Sequence, residues 1–214
     1  MIAILIGSPS HPITPFVYEW ISSQVSIHDE IRVYFDHKEI SSETIVFALS
    51  YGSVISEQYL SKFAHTIILH ASKLPLGRGW SPHIWSILDG QNNITLSAIS
   101  ASKLVDSGDI WCQKTLNIYP TDLYDEINKK LFLTELTMIE DVVALIANGA
   151  RPFPQANIPP TYHRKRTPLD SQVDQSMSIE SIFDLLRVAD PERYPVYFYR
   201  DGVKFNLFIQ KADG

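Results

Sequence analysis

"ILHASKLPLGRGWSPHIWSILDG", residues 68–90, runs from an apolar segment through a single histidine, His70, into a turn carrying Ser72, Pro75, Gly77 and Gly79. It then enters a stretch with Trp80 and Trp85 that stops at Gly90. The segment that leads into it, "TIILHA" (66–71), is apolar and β-branched at consecutive positions. Such a run is expected of a strand covered on both faces. "SPHIWSILDG" (81–90) reads as a helix ended by a glycine. A buried strand, a tight basic turn and a helix make one unit of an open α/β sheet. The turn after such a strand is where these sheets hold ligands.

Working outward, the same alternation recurs. "IAILIG" (2–7), "IRVYFD" (31–36), "TIVFALS" (44–50), "ITLSAI" (94–99) and "DIWCQKTLNI" (109–118) have strand composition. Between them, "TPFVYEWISSQV" (14–25) carries Phe16, Val17, Trp20 and Ile21 on one helical stripe, and "SEQYLSKFA" (56–64) starts on a capping Ser56. From Thr121 to Asn148, Leu123, Ile127, Leu131, Leu133, Leu136, Ile139, Val143 and Ile146 recur at helical spacing. Thr121 can cap the start of that helix, and Gly149 sits at its C-terminal cap position. The pattern predicts an α/β fold with a doubly wound, mostly parallel sheet over residues 1–150. Residues 151–214 read as a C-terminal extension packed on that core. It begins with a proline-rich loop, "RPFPQANIPPTYHRKRTPLDSQ". A helix over 178–190 with a Ser178 cap follows, then a β-hairpin turning on Asp201-Gly202. No internal repeat is visible.

Of the 214 residues, 45% are hydrophobic and 20% charged, enough for one substantial core. A net charge of −6 opposes a phosphate-tracking surface for nucleic acid. Cys112 is the one cysteine, which excludes a disulfide framework and fits a reducing, cytoplasmic setting. "MIAILIGSPS" is too short to span a bilayer and has no basic flank, so it reads as a first strand and no membrane association is expected. His28, His37, His65, His70, His83 and His163 show no paired ligand spacing, so no metal site is expected.

Two loops that end on strands carry the reactive groups. One holds His70, Ser72, Lys73, Pro75, Arg78 and Gly79; the other, "KLVDSGDI" (103–110), holds Asp106, Ser107, Gly108 and Asp109. A carboxylate beside a histidine favours the imidazolium and makes the ring a general base of useful strength. Taken singly, a histidine in an apolar strand is more often a hydrogen-bonded core residue. Aspartates beside glycine are more often turn residues. His11 in "GSPSHP" reads as a turn histidine.

Together, "HASKLPLGRG" (70–79), "GWSPHIWSILDG" (79–90), "VDSGDI" (105–110) and "TYHRKRTPLDS" (161–171) resemble the folate-dependent formyltransferase family. Its members include methionyl-tRNA formyltransferase, glycinamide ribonucleotide transformylase and the sugar N-formyltransferases. The resemblance implies a Rossmann-like core and N10-formyltetrahydrofolate as cosubstrate, with no metal. It also implies that His70 and Asp106 belong to the catalytic trio of asparagine, histidine and aspartate. Where the family has the asparagine, this chain has Ile68. The lost amide would have donated to the oxygen that gains charge as an amine attacks, and one such donor is worth about 10²–10³ in rate. Ser50, Ser72 and a backbone N–H are candidates to replace it. The resemblance further implies that the pterin slots beside "ALSYGSVIS" (48–56) and the 104–109 loop. Tyr51, Gly52, Val54, Ile55, Leu104, Asp106 and Asp109 are the expected contacts.

Three acceptors compete. A tRNA substrate calls for a basic surface and a sizeable C-terminal binding domain; this chain is acidic with a short hairpin tail. The ribonucleotide enzyme has an unlike tail. The stretch "RKRTPLDS" with its closing hairpin, and "GRGWSP" with "DPERYPVYF", are similar to the compact sugar N-formyltransferases. The resemblance therefore implies formylation of an amino sugar, nucleotide-linked, for a surface polysaccharide or a pseudaminic-acid-type sugar. Ser72, Lys73, Arg78, Gly79 and Trp80 are the expected substrate contacts. The Arg164–Lys165–Arg166 cluster is a further candidate for diphosphate and sugar contacts; the bland alternatives are a solvated loop for that cluster and core anchoring for Trp80, Ile84 and Trp85. A homodimer through the tail is a further expectation. With Ile68 in place of the amide, a non-catalytic binding protein or a formyltetrahydrofolate hydrolase stays open.

Overall fold

Six strands form the central sheet of the computed structural model, which describes residues 1–24, 30–42 and 44–212. His28, and Val25 at the end of the first expected helix, lie outside the described residues. In chain order the elements begin with β1 (Ile2–Ile6), α1 (Thr14–Ser23), β2 (Ile31–Tyr34), β3 (Ile45–Leu49), the single turn α2 (Glu57–Leu60) and β4 (His65–His70). They continue with β5 (Arg78–Gly79), α3 (Pro82–Leu88), β6 (Asn93–Ser100), β7 (Ile110–Asn117), α4 (Tyr124–Ala147), β8 (Tyr162–His163), α5 (Ile179–Val188), β9 (Val196–Arg200) and β10 (Val203–Leu207). The sheet order is β2-β1-β3-β4-β6-β7, so the fold is α/β with a mostly parallel sheet, as the sequence predicts. The first four strands are parallel, with β1 buried at every position.

The pattern breaks at β6, which runs antiparallel to β4, pairing Ile67 with Ser100 and His70 with Ser97, and antiparallel to β7 on its other side. The chain leaves β4 at its carboxyl end, and α3, 7 residues long, delivers it to β6 at that same end, so β6 runs the other way.

One sheet face packs Ile2, Ile4, Ile6, Phe47, Ile67 and Leu69 against α1 and α4 in the main core. The opposite face is covered by short elements. Ala3, Leu5 and Val46 pack under Ile40 and Phe63, and Ile68, Ile99 and Ile110 pack under Leu74. That thinly covered second face leaves room for the site.

Several helix ends differ from expectation. Thr121 does not cap α4. The chain turns at Leu123, whose N–H is taken by the Glu126 carboxylate at 2.9 Å. Ser56 stands at the start of α2 without a side-chain cap bond. Ser178 does cap α5, its Oγ accepting the Ser181 N–H at 3.2 Å. β9 and β10 pair through Asp201 and Gly202, both at positive φ as a tight hairpin turn requires. No helix among the described residues is long and apolar enough to cross a membrane.

Candidate active site

His70 ends β4 with its side chain buried, on the same sheet face as Ile68 two residues before it. Its Nε2 lies 2.9 Å from the Gly77 carbonyl oxygen. A carbonyl can only accept, so Nε2 carries the hydrogen and the neutral ring keeps its lone pair at Nδ1. Asp106 Oδ1 stands 3.7 Å from that Nδ1, with both side chains almost entirely buried. Its other oxygen, Oδ2, accepts the Gly79 N–H at 2.8 Å. Asp106 has φ +52, so its carboxylate is presented from a left-handed turn.

The two loops therefore meet, by a route the sequence does not suggest. Reversal of β6 makes the 101–109 loop leave beside the start of β4, where the Ala101 N–H donates to the Thr66 carbonyl at 2.7 Å. Asp106 then reaches His70 across the face of the sheet rather than from a neighbouring strand tip. Gly108 permits the fold-back: a Cβ there would stand 1.7 Å from the Ser100 carbonyl oxygen.

Glycine is equally required at 79, where φ is +96 and a Cβ would stand 2.3 Å from the His163 carbonyl oxygen. That approach lets residues 78–80 add to the proline-rich segment. The Arg78 N–H donates to the Thr161 carbonyl and the Trp80 N–H to the His163 carbonyl. The segment also pairs with β7 through Phe153 and Ile110. Between these anchors lies Gln155, a residue sequence reasoning missed. Its Nε2 donates to the Asp106 carbonyl at 2.8 Å and the Gly108 carbonyl at 2.9 Å, and its Oε1 accepts from Arg78 at 2.7 Å. Nothing local distinguishes Gln155 from other polar loop residues, since its role exists only once three segments are together.

Ile68 packs into the apolar cluster of Leu74, Ile99 and Ile110, so no amide stands beside His70 at that position. Ser72, a candidate replacement and substrate contact, is buried at 7% exposure and its Oγ has no hydrogen-bond partner. The hydroxyl is closed to solvent and bonded to nothing, so in this arrangement it presents no donor to an incoming ligand. Ser50 is exposed, at φ +49.

Of the expected pterin contacts, Tyr51 and Ile55 turn inward onto the Leu5 and Phe63 cluster, and the Tyr51 hydroxyl lies 2.8 Å from His37 Nδ1. Val54 and Leu104 are 83% and 69% exposed, so two large apolar side chains stand in water. Their segments are neighbours, linked by an ion pair between Lys103 and Glu57 at 3.5 Å. Gly52 lies under the Trp80 ring, whose edge would meet a Cβ at 3.1 Å. Asp109 is exposed, and its carbonyl accepts the Ser100 N–H. Apolar walls, backbone edges and an open glycine fit a flat heterocyclic ligand such as a pterin.

Among the basic residues, Arg164 is held by Asp170 and lies over the Trp85 ring. Its guanidinium holds the Asp170 carboxyl well below the usual carboxylate range. Lys73 is exposed, Lys165 stands 4.6 Å over the half-exposed Trp80 ring, and Arg78 lies 5.9 Å over Tyr162. His83 is pushed down to about 4, chiefly by desolvation, so it stays neutral near pH 7. His11 accepts the Ile13 N–H in its turn. No group of three metal-ligating side chains occurs among the described residues.

Residues 22–143 match the family described as formyl transferase. The chain is 22% identical over 204 residues to methionyl-tRNA formyltransferase of Streptococcus pyogenes serotype M6, covering 89% of this chain and 65% of that protein. It thus spans under two thirds of the length of the curated relatives it matches first. HypX from Aquifex aeolicus in complex with tetrahydrofolic acid shares the fold at a TM-score of 0.77 and 16% identity, over 97% of this chain and 37% of that one. A sugar N-formyltransferase from Shewanella sp shares it at a TM-score of 0.73 and 16% identity, over 100% of this chain and 99% of that one.

Proposed function

The chain belongs to the formyl transferase family, and from that premise we propose that it transfers a formyl group from N10-formyltetrahydrofolate to the amine of an amino sugar. The observation that carries the reading is the buried pair: Asp106 Oδ1 lies 3.7 Å from His70 Nδ1. When bound, the folate supplies an activated one-carbon unit; Val54, Leu104 and Gly52 are the residues that would hold its ring.

The chain's own groups then move the proton. Gly77 holds the Nε2 hydrogen, which leaves Nδ1 as the atom that takes the proton from the amine. Asp106 stabilises the imidazolium so formed and, anchored by the Gly79 N–H, keeps the ring oriented. With Ile68 in the amide's place, the positive charge on His70, present once Nδ1 has taken the amine's proton, is what remains to meet the negative charge on the carbonyl oxygen.

The acidic balance, net −6, favours a small acceptor over tRNA. Trp80 with Lys165 and Tyr162 with Arg78 pair an aromatic face with a cation, a combination suited to a nucleotide carrier whose base stacks and whose diphosphate needs positive charge. The test is to follow tetrahydrofolate release from N10-formyltetrahydrofolate with nucleotide amino sugars, with initiator tRNA, and with no acceptor. Release only with amino sugars supports the proposal. Release with tRNA alone, without any acceptor, or in no case overturns it in favour of tRNA formylation, hydrolysis or binding.

A further inference from the structure

We propose that Gln155 is a positioning residue that holds Asp106 against His70, an inference that rests on reading those two as the reacting pair. Residues 153–163 run as a strap over both functional loops. Phe153 is tied to Ile110 by two backbone hydrogen bonds, of 2.7 and 2.9 Å, and Thr161 and His163 are tied to Arg78 and Trp80. Gln155 is the side chain of this strap that enters the turn itself. Its single NH₂ group bridges the carbonyls of Asp106 and Gly108, on either side of Ser107.

The orientation of that amide is determined, not arbitrary. Two carbonyls only accept and a guanidinium only donates, so Nε2 must face Asp106 and Gly108 while Oε1 faces Arg78. Arg78 is in turn steadied by the Tyr162 hydroxyl at 3.2 Å. Asp106 needs this support because a non-glycine residue at φ +52 persists only where its surroundings over-determine it. The Gly79 N–H fixes one end of the residue, its carboxylate, and Gln155 fixes the other, its carbonyl. Released from Gln155, the turn can relax and carry Oδ1 away from Nδ1.

The discriminating variant is Gln155→Glu, which keeps chain length and an oxygen for Arg78 but has no N–H for the carbonyls. Gln155→Met, which keeps volume alone, is the second. Both are compared with the parent for kcat, for KM of the formyl donor, and for the imidazole ¹⁵N resonances of His70 at one fixed pH. A displacement on the order of 1 Å at such a site lowers rate about 100-fold. Expected is a fall in kcat of about 10- to 100-fold in both variants with KM within about twofold. The His70 resonances should move in the direction seen for Asp106→Asn. Unchanged kcat and unchanged resonances in Gln155→Glu would overturn the proposal, as would a fall in Gln155→Met alone. If the parent transfers no formyl group to any acceptor while the resonances still move, the positioning role stands and the formyl-transfer reading fails.

Discussion

Replacing Asp106 by asparagine tests the pair with little disturbance to the fold. The Gly79 N–H demands an acceptor, so the amide oxygen will take the place of Oδ2 and the NH₂ group that of Oδ1, facing His70 Nδ1. A donor there opposes protonation of Nδ1, and the carboxylate's attraction for the imidazolium is gone. At the observed 3.7 Å that attraction is about 4 kcal/mol for an effective dielectric near 20. This corresponds to roughly 10³-fold in rate. The same exchange beside a serine-protease histidine costs about 10⁴. The expected outcome for Asp106→Asn is thus a 10³- to 10⁴-fold fall in kcat, read as amine-dependent tetrahydrofolate release, with unfolding free energy changed by less than about 1 kcal/mol because shape and the Gly79 bond are kept. Retention of more than a tenth of the parent kcat by a folded Asp106→Asn protein would refute the assignment of Nδ1 as the working nitrogen.

Three further outcomes follow from other positions. Ile68→Asn places an amide in the Leu74, Ile99 and Ile110 cluster; it should cost about 2–4 kcal/mol of stability while raising kcat up to about 100-fold, and a kcat at or below the parent's would show that the charge is already fully met. Gly108→Ala forces a methyl to 1.7 Å from the Ser100 carbonyl, both atoms fixed by backbone; urea unfolding should show a loss of at least about 3 kcal/mol. Glu135 on α4 is 4% exposed, and burial raises its carboxyl from 4.5 to about 8. The folded state therefore holds a proton the unfolded chain releases, so this group's penalty on stability is absent below pH 4.5, grows as pH rises, and is complete near 8. Glu135→Gln should gain on the parent by about 1.4 kcal/mol per pH unit across that window, measured by denaturant unfolding at several pH values.

Much of the fold was legible because it follows from local rules. β1, β3 and β4 were marked by unbroken apolar runs, and the hairpin by Asp201-Gly202. Strand direction was not legible: an apolar run reads the same either way, and nothing in the 94–99 run marks β6 as the reversed strand. His70 and Asp106 were singled out through their motifs, and the structure places them 3.7 Å apart. Ser72 was chosen for its place in a polar turn, yet that turn folds its hydroxyl inward. Arg164 looked free, but Thr167-x-x-Asp170 is itself a capping pattern that predicts a carboxylate pinned nearby; the Thr167 N–H donates to Asp170 Oδ2 at 2.6 Å. Gln155 carried no local sign at all.

The Trp80 ring has an optical consequence. It touches the backbone at Gly52 on one side and carries the Lys165 ammonium on its other contacts, and 43% of it remains open to water. Indole emission depends on exactly such surroundings, so insertion of a planar molecule beside residue 52, or withdrawal of the ammonium toward an anion, will change its intensity and colour. The surface at residue 52 thus comes with its own lamp, and Trp80→Phe would identify which part of the total tryptophan signal belongs to it.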